Sequence, residues 1–131
     1  MIVVDTSALV AVLDREPEAA RYAEAMLAAE TCLLSAITLY EASVVMLMRR
    51  GPAGVDDLRS LLTLINAEIL PFTDADSMIA TAAYRRFGKG RQTAASLNIC
   101  DCAAYGLAQS RNLPLLYKGD DFSQTDIRSC L

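Results

Sequence analysis

The sequence predicts an α/β fold: a three-layer α/β/α sandwich around a short, mostly parallel central sheet of four to five strands. Three observations carry this expectation. Short apolar runs recur along the chain without alternating polar residues, which suits strands buried on both faces. Segments with helical periodicity separate them. Strand–helix–strand succession then demands right-handed crossovers, and so a parallel sheet covered on both sides. At 131 residues the chain reads as one domain, 1–131, long enough to bury a real core.

The elements follow in order. MIVVD (1–5) reads as a buried strand, Ser7 is expected to cap a helix through Leu13, and after Pro17 an alanine-rich helix runs to about Glu30. TCLLS (31–35) is the second apolar run. ITLYEASVVMLMRRG keeps helical periodicity and stops on Gly51, and GPAG turns the chain. DDLRSLLTLINA then sets Leu58, Leu61, Leu62 and Ile65 on one face. EILPF (68–72) is the third strand, TDADSMIATAAYRRFG a helix and GKGRQTAA a polar loop. LNICDCAAYGLAQSRN is a helix ending near Asn112, and PLLYKGDDF supplies the fourth strand and a charged turn. A fifth short strand is expected in the tail at Ile127. VVMLM (44–48) suits either the core or an adaptable partner surface.

Composition narrows the chemistry. Histidine is absent, which excludes imidazole bases, His-ligated zinc and Ser-His-Asp or Cys-His pairs. The four cysteines (Cys32, Cys100, Cys102 and Cys130) lack the density of a disulfide scaffold, and Cys100-x-Cys102 lacks zinc-knuckle spacing. They are expected to be buried thiols. No apolar run spans a membrane, and the N-terminus lacks a basic n-region, so the expected location is the cytoplasm. The net charge of −4 argues against generic nucleic-acid binding, but not against an acidic, metal-charged pocket.

The expected fold turns scattered acids into a spatial hypothesis. Ligands of open parallel sheets bind beyond the carboxyl ends of the strands. Asp5 ends the first strand, Glu41 lies early in the helix after the second, Asp101 begins the last long helix, and Asp120 and Asp121 follow the fourth strand. Each has a structural alternative. Thr38-x-x-Glu41, Thr73-x-x-Asp76 and Asn98-x-x-Asp101 all match the capping box, in which the acid closes a helix start without further function. Clustering decides between the readings, because several carboxylates at one edge repel unless a cation or protons intervene. Mg²⁺ or Mn²⁺ suits such an all-oxygen site and supports phosphate-ester chemistry.

DTSALVAVL at the start, YEAS mid-chain, and LNICDCAAYGLA before PLLYKGDDF make the chain resemble the PIN-domain family, and within it the VapC toxins of bacterial toxin–antitoxin pairs. The resemblance covers essentially the whole chain. It implies a Mg²⁺- or Mn²⁺-dependent endoribonuclease acting on RNA, a homodimer, held inactive by a cognate protein antitoxin. It also implies that Asp5 and Asp101 are metal ligands and that Glu41 completes the site. The family's fourth acid falls on Gly119, so that part of the pattern is not met; Asp120 is the preferred substitute and Asp121 the other candidate. Ser7 has a supporting place beside Asp5. Arg86, Lys89, Arg91 and Lys118 are candidate phosphate contacts, with solvated helix ends as the alternative. Two other functions stay open: an Asp-rich, Mg²⁺-binding receiver-like signalling module, and an inactive PIN-like scaffold. A receiver normally carries an acidic pair at its first strand, where this chain has one acid.

Overall fold

Four parallel strands in the order β3-β2-β1-β4 form the sheet: β1 (Ile2–Val4), β2 (Cys32–Ser35), β3 (Ala67–Leu70) and β4 (Leu115–Leu116). The computed structural model describes all residues, 1–131. Helices α1 (Thr6–Leu13) and α2 (Ala19–Ala28) connect β1 to β2, and α3 (Ala36–Leu64) connects β2 to β3. Helices α4 (Asp74–Phe87) and α5 (Ile99–Arg111) connect β3 to β4.

Successive strand residues point to opposite faces, and the core divides accordingly. Val4, Cys32, Leu34 and Leu116 pack with Leu9, Met26, Met46 and Leu58 beneath α1, α2 and α3. Val3, Leu33 and Leu115 pack with Ala80, Leu97, Tyr105 and Ala108 beneath α4 and α5. The strands are thus buried on both sides, and the three layers are those the sequence predicts. No helix is long and apolar enough to cross a membrane.

Three local expectations need correction. The chain does break at Gly51, whose φ of 66° lies in the left-handed region that favours glycine. The break is one residue wide, however, and GPAG is no turn: helix resumes at once with Pro52, whose missing N–H costs nothing at a first position. The tail forms no fifth strand. β4 is two residues long, so it offers room for a single bridge, Leu115 to Ser129, while Ile127 buries its side chain instead. VVMLM splits between both of its alternatives: Met46 is fully buried, whereas Leu47 and Met48 face solvent.

The third correction concerns the helix starts. Ser7 does not cap α1. Asp5 does, its Oδ2 accepting from the Ser7 N–H at 3.0 Å. Likewise Ser35 caps α3 by accepting from the Ile37 N–H at 3.1 Å, so Thr38 and Glu41 form no capping box. The boxes at Thr73/Asp76 and Asn98/Asp101 both form as their spacing predicts.

Candidate active site

The sheet order reverses between β1 and β4. Connections from β1 proceed towards β3 over one face, and the chain then returns to the other side of β1 over the opposite face. Such a switch point leaves a crevice beyond the strand ends. A cleft of about 430 Å³ opens there, and its walls include Asp5, Ser7, Glu41, Asp101, Lys118 and Gly119.

Asp5 follows β1 directly and is 2% exposed. Its Oδ2 accepts from both the Ser7 N–H and the Ser7 hydroxyl, the latter at 2.7 Å. Its Oδ1 is buried and has no hydrogen-bond partner. Asp101 divides its carboxylate in the same way. Its Oδ2 accepts from the Asn98 N–H at 3.0 Å and closes the box at the start of α5, while no hydrogen bond engages Oδ1. Each aspartate therefore ties one oxygen to its own helix start and leaves the other free. Glu41 stands in the second turn of α3, where a capping role is excluded by the Ser35 cap. Thr6 donates from Oγ1 to the Thr38 carbonyl at 3.4 Å, linking the starts of α1 and α3 and hence Asp5 to the Glu41 helix.

The electrostatics follow from this crowding. Burial pushes Asp5 up to about 6 against the hydrogen bonds from Ser7, and the Glu41 charge adds to the rise. Burial first, then the charge of Asp5, pushes Asp101 up to about 7, and Glu41 and Asp121 contribute. Cys100 beside Glu41 is pushed up to about 11, chiefly by burial, and Cys102 to about 12 for the same reason, so neither is a thiolate at neutral pH. All four cysteines are free thiols.

The remaining predicted residues separate into three groups. Ser7 and Lys118 line the cleft and are joined: the Ser7 Oγ accepts from the Lys118 backbone N–H at 2.9 Å. The Lys118 ammonium is engaged by Glu16 at 2.6 Å and Glu18 at 3.1 Å. Arg86 is held away from the cleft by Asp126 at 3.3 Å, beside the Tyr105 hydroxyl. Lys89 and Arg91 lie on the loop after α4, and Arg91 lines a separate groove. Asp120 is not brought into the cleft wall; its carbonyl accepts from Ser123 Oγ. Asp121 does not line the cleft either, although its charge adds to the rise of Asp101. Gly119 adopts a φ of 102°, a conformation that disfavours any side chain and accounts for glycine at this position. Sequence reading missed Arg49 and Glu16 as cleft-lining residues. Arg49 looked like a helix-end charge, but it pairs with Asp14 across the mouth of the cleft, a contact that only the folded α1–α3 packing creates.

As the side chains stand, no three acids or thiols converge on one point as a closed metal cluster. The donor set nevertheless fits a hard cation of the Mg²⁺ kind. Such ions keep several waters and need only one or two protein carboxylates, and the unpartnered Oδ1 of buried Asp5 is a ligand atom with nothing else to bind.

Comparison with known proteins agrees with this geometry. The PIN domain family model matches residues 2–128. The chain belongs to the PIN-domain family, among its VapC ribonucleases. Ribonuclease VapC28 of Mycobacterium tuberculosis is 38% identical over 130 residues, covering 99% of this chain and 98% of its own. Ribonuclease VapC30 of the same organism is 41% identical over 126 residues, covering 96% and 95%. Among solved structures, M. tuberculosis VapC20, described as a sarcin–ricin loop cleaving toxin, superposes with a TM-score of 0.79 at 14% identity, over 97% of this chain and 96% of that one. VapBC2 from Rickettsia felis, bound to a DNA fragment from its promoter, gives 0.74 at 17% identity, over 98% and 96%. These two bear on the fold alone, whereas VapC28 and VapC30 place the chain among ribonucleases. The receiver-like alternative is set aside by that membership.

Proposed function

We propose that the chain is a Mg²⁺- or Mn²⁺-dependent endoribonuclease, the toxin of a toxin–antitoxin pair, which hydrolyses RNA phosphodiesters in the cleft at the β1/β4 switch point. One observation carries the reading: a buried aspartate with an orphaned oxygen shares a cleft with Asp101 and Glu41, and no protein cation is engaged with any of the three. Uncompensated negative charge at that density calls for an external cation. Asp5 and Asp101 would hold it through their free Oδ1 atoms, with Glu41 supporting from the facing helix. A bound divalent ion would supply a water of lowered pKa and would neutralise charge on the phosphate.

The protein's own groups have definite parts in this reading. Ser7 fixes the Asp5 carboxylate and the backbone of Lys118 at once, and so sets the spacing of the strand ends. The Asn98/Asp101 box locks the orientation of Asp101. Asp121, whose charge is felt at Asp101, is a candidate further acid for a second ion. A cognate protein antitoxin fits the exposed stripe Tyr40, Val44, Leu47 and Met48, which borders the acidic cleft. A homodimer is part of the same reading.

The test is direct. Purified protein, free of any antitoxin, is incubated with structured RNAs and Mg²⁺ or Mn²⁺ beside Asp5→Asn and Asp101→Asn. Cleavage is expected only from the unsubstituted chain and only without EDTA; equal cleavage by the variants would overturn the assignment. Growth arrest on expression, relieved by Asp5→Asn, is the expected cellular counterpart.

A further inference from the structure

Residues 77–100 contain four cations and no acid, in a chain whose net charge is −4. One of the four, Arg86, is paired with Asp126. Arg85, Lys89 and Arg91 form no salt bridge, whereas the cations at the cleft mouth, Arg49, Arg50 and Lys118, are all paired. An acidic protein that keeps three free cations within seven residues presents a local site for a polyanion.

Arg85 and Arg91 line a groove of about 550 Å³ between α4 and the start of α5, and Lys89 lies on the loop between them. Phe72, Tyr84, Ser77, Thr81, Arg85 and Arg91 shape it. The Tyr84 ring is a fixed wall. Its hydroxyl donates to the Lys89 carbonyl at 2.8 Å, and the ring lies so close to Gly88 that a Cβ there would meet it at 2.5 Å. The Ser77 and Thr81 hydroxyls donate to the Asp74 and Ser77 carbonyls, which leaves both oxygens free to accept. Flat apolar and aromatic walls, hydroxyl acceptors and guanidinium donors match the two faces of a nucleobase, its ring plane and its polar edge.

The position of the groove relative to the cleft completes the argument. Asp101 faces the cleft, while its neighbour Cys102 and the exposed Ile99 line the groove. The first turn of α5 is therefore a thin partition, and one strand crossing it enters both spaces. We propose that this groove seats an unpaired base of the RNA being cut, with Arg85, Lys89 and Arg91 on the adjoining phosphates. The inference rests on the ribonuclease reading and adds to it a place for one base outside the acidic cleft. A second copy of the chain fits the groove less well, because a two-fold contact here would bring two uncompensated cation clusters into one interface.

Asp5→Asn, which keeps the helix cap and is cleavage-deficient on this reading, provides the background for binding. The probe is a fluorescein-labelled oligoribonucleotide, single-stranded or annealed into a duplex, followed by anisotropy across a salt series. The single strand is expected to bind more tightly than the duplex. Arg91→Ala should flatten the slope of log affinity against log salt by about 0.7, the loss of one single-strand phosphate contact. Thr81→Phe, which fills the groove from an exposed helix position, should weaken the single strand by roughly fivefold or more while keeping the slope. Thr81→Leu, a smaller filling of the same groove, serves in its place if that variant does not fold. Arg59→Ala, an unpaired cation on the far helix arm, should change nothing. Unchanged binding in Arg91→Ala and in the groove variant would overturn the proposal, as would a change in sedimentation with unchanged RNA affinity, which would mark a protein contact. RNA cleavage by the unsubstituted chain, run in parallel, separates the two levels: cleavage with unaltered groove variants refutes the groove alone, and neither binding nor cleavage refutes the ribonuclease reading and the groove with it.

Discussion

Replacing Asp5 by asparagine should make the metal-free protein more stable. The carboxyl group is fully buried and pushed from 3.8 to about 6. Keeping it ionised in the fold therefore costs on the order of 3 kcal/mol at 1.36 kcal/mol per unit. Asparagine removes that charge but retains an oxygen for the Ser7 N–H and hydroxyl, so the α1 cap survives. Its amide nitrogen takes the place of an oxygen that already lacks a partner, so one orphan replaces another. The sign follows from the raised value. Between the unfolded carboxyl's ordinary value and about 6, the folded state binds more protons, and stability falls as pH rises through that window. The advantage of the variant should thus be about 3 kcal/mol at pH 8, about half of that near pH 5 and close to nothing below pH 4. Urea unfolding of both proteins in EDTA across this range measures it. A variant less stable than the parent at pH 8, or an advantage independent of pH, would refute the account of Asp5 as a destabilising, cation-seeking group. Saturating Mg²⁺ or Mn²⁺ should reverse the order, because only the parent gains from binding.

Other outcomes follow from the same geometry. Cation affinity should climb steeply as pH rises through about 6 to 7, where Asp5 and Asp101 ionise, and calorimetry in buffers of different protonation enthalpy should show protons released on binding. Ser7→Ala removes a bond that holds Asp5 ionised and leaves the Lys118 N–H unpaired, so it should cost about 1–3 kcal/mol and move the pH midpoint of cation binding upward; a midpoint unmoved would show that Ser7 only supports the fold. Gly54→Ala would ordinarily strengthen a helix by about 1 kcal/mol. Here the new Cβ would lie 2.5 Å from the Met46 carbonyl oxygen, so the melting temperature should fall instead.

Much of this was legible in the residues, for local reasons. The strands could be placed because runs such as VV and CLLS are buried on both faces and show no polar alternation, and the two capping boxes because their spacing is a property of a single helix turn. Cleft membership of Asp5, Glu41 and Asp101 followed from topology, since parallel strands present their carboxyl ends together. What stayed hidden depends on competition between neighbours. Asp5, Thr6 and Ser7 all carry cap-competent oxygens, and only the path of β1 into α1 decides that Asp5 caps and Ser7 bridges to Lys118. Gly119, Asp120 and Asp121 occupy a turn whose left-handed twist at Gly119 depends on the backbone path and not on composition.

The bond from the Lys118 backbone to the Ser7 hydroxyl spans 111 positions of the chain, and β1 lies between β2 and β4. This inner strand thus precedes both of its neighbours in the chain, and β4 follows all the other strands. Contacts of such separation form late in folding, after the closure entropy of the intervening loop has been overcome. Helices α1, α2 and α3 pack on one face of β1 and β2, whereas Lys118 and Gly119 complete the cleft wall from the far end of the sequence. The cleft wall is therefore closed by chain segments more than a hundred residues apart, and a truncation before residue 115 would remove both β4 and the Ser7 tie.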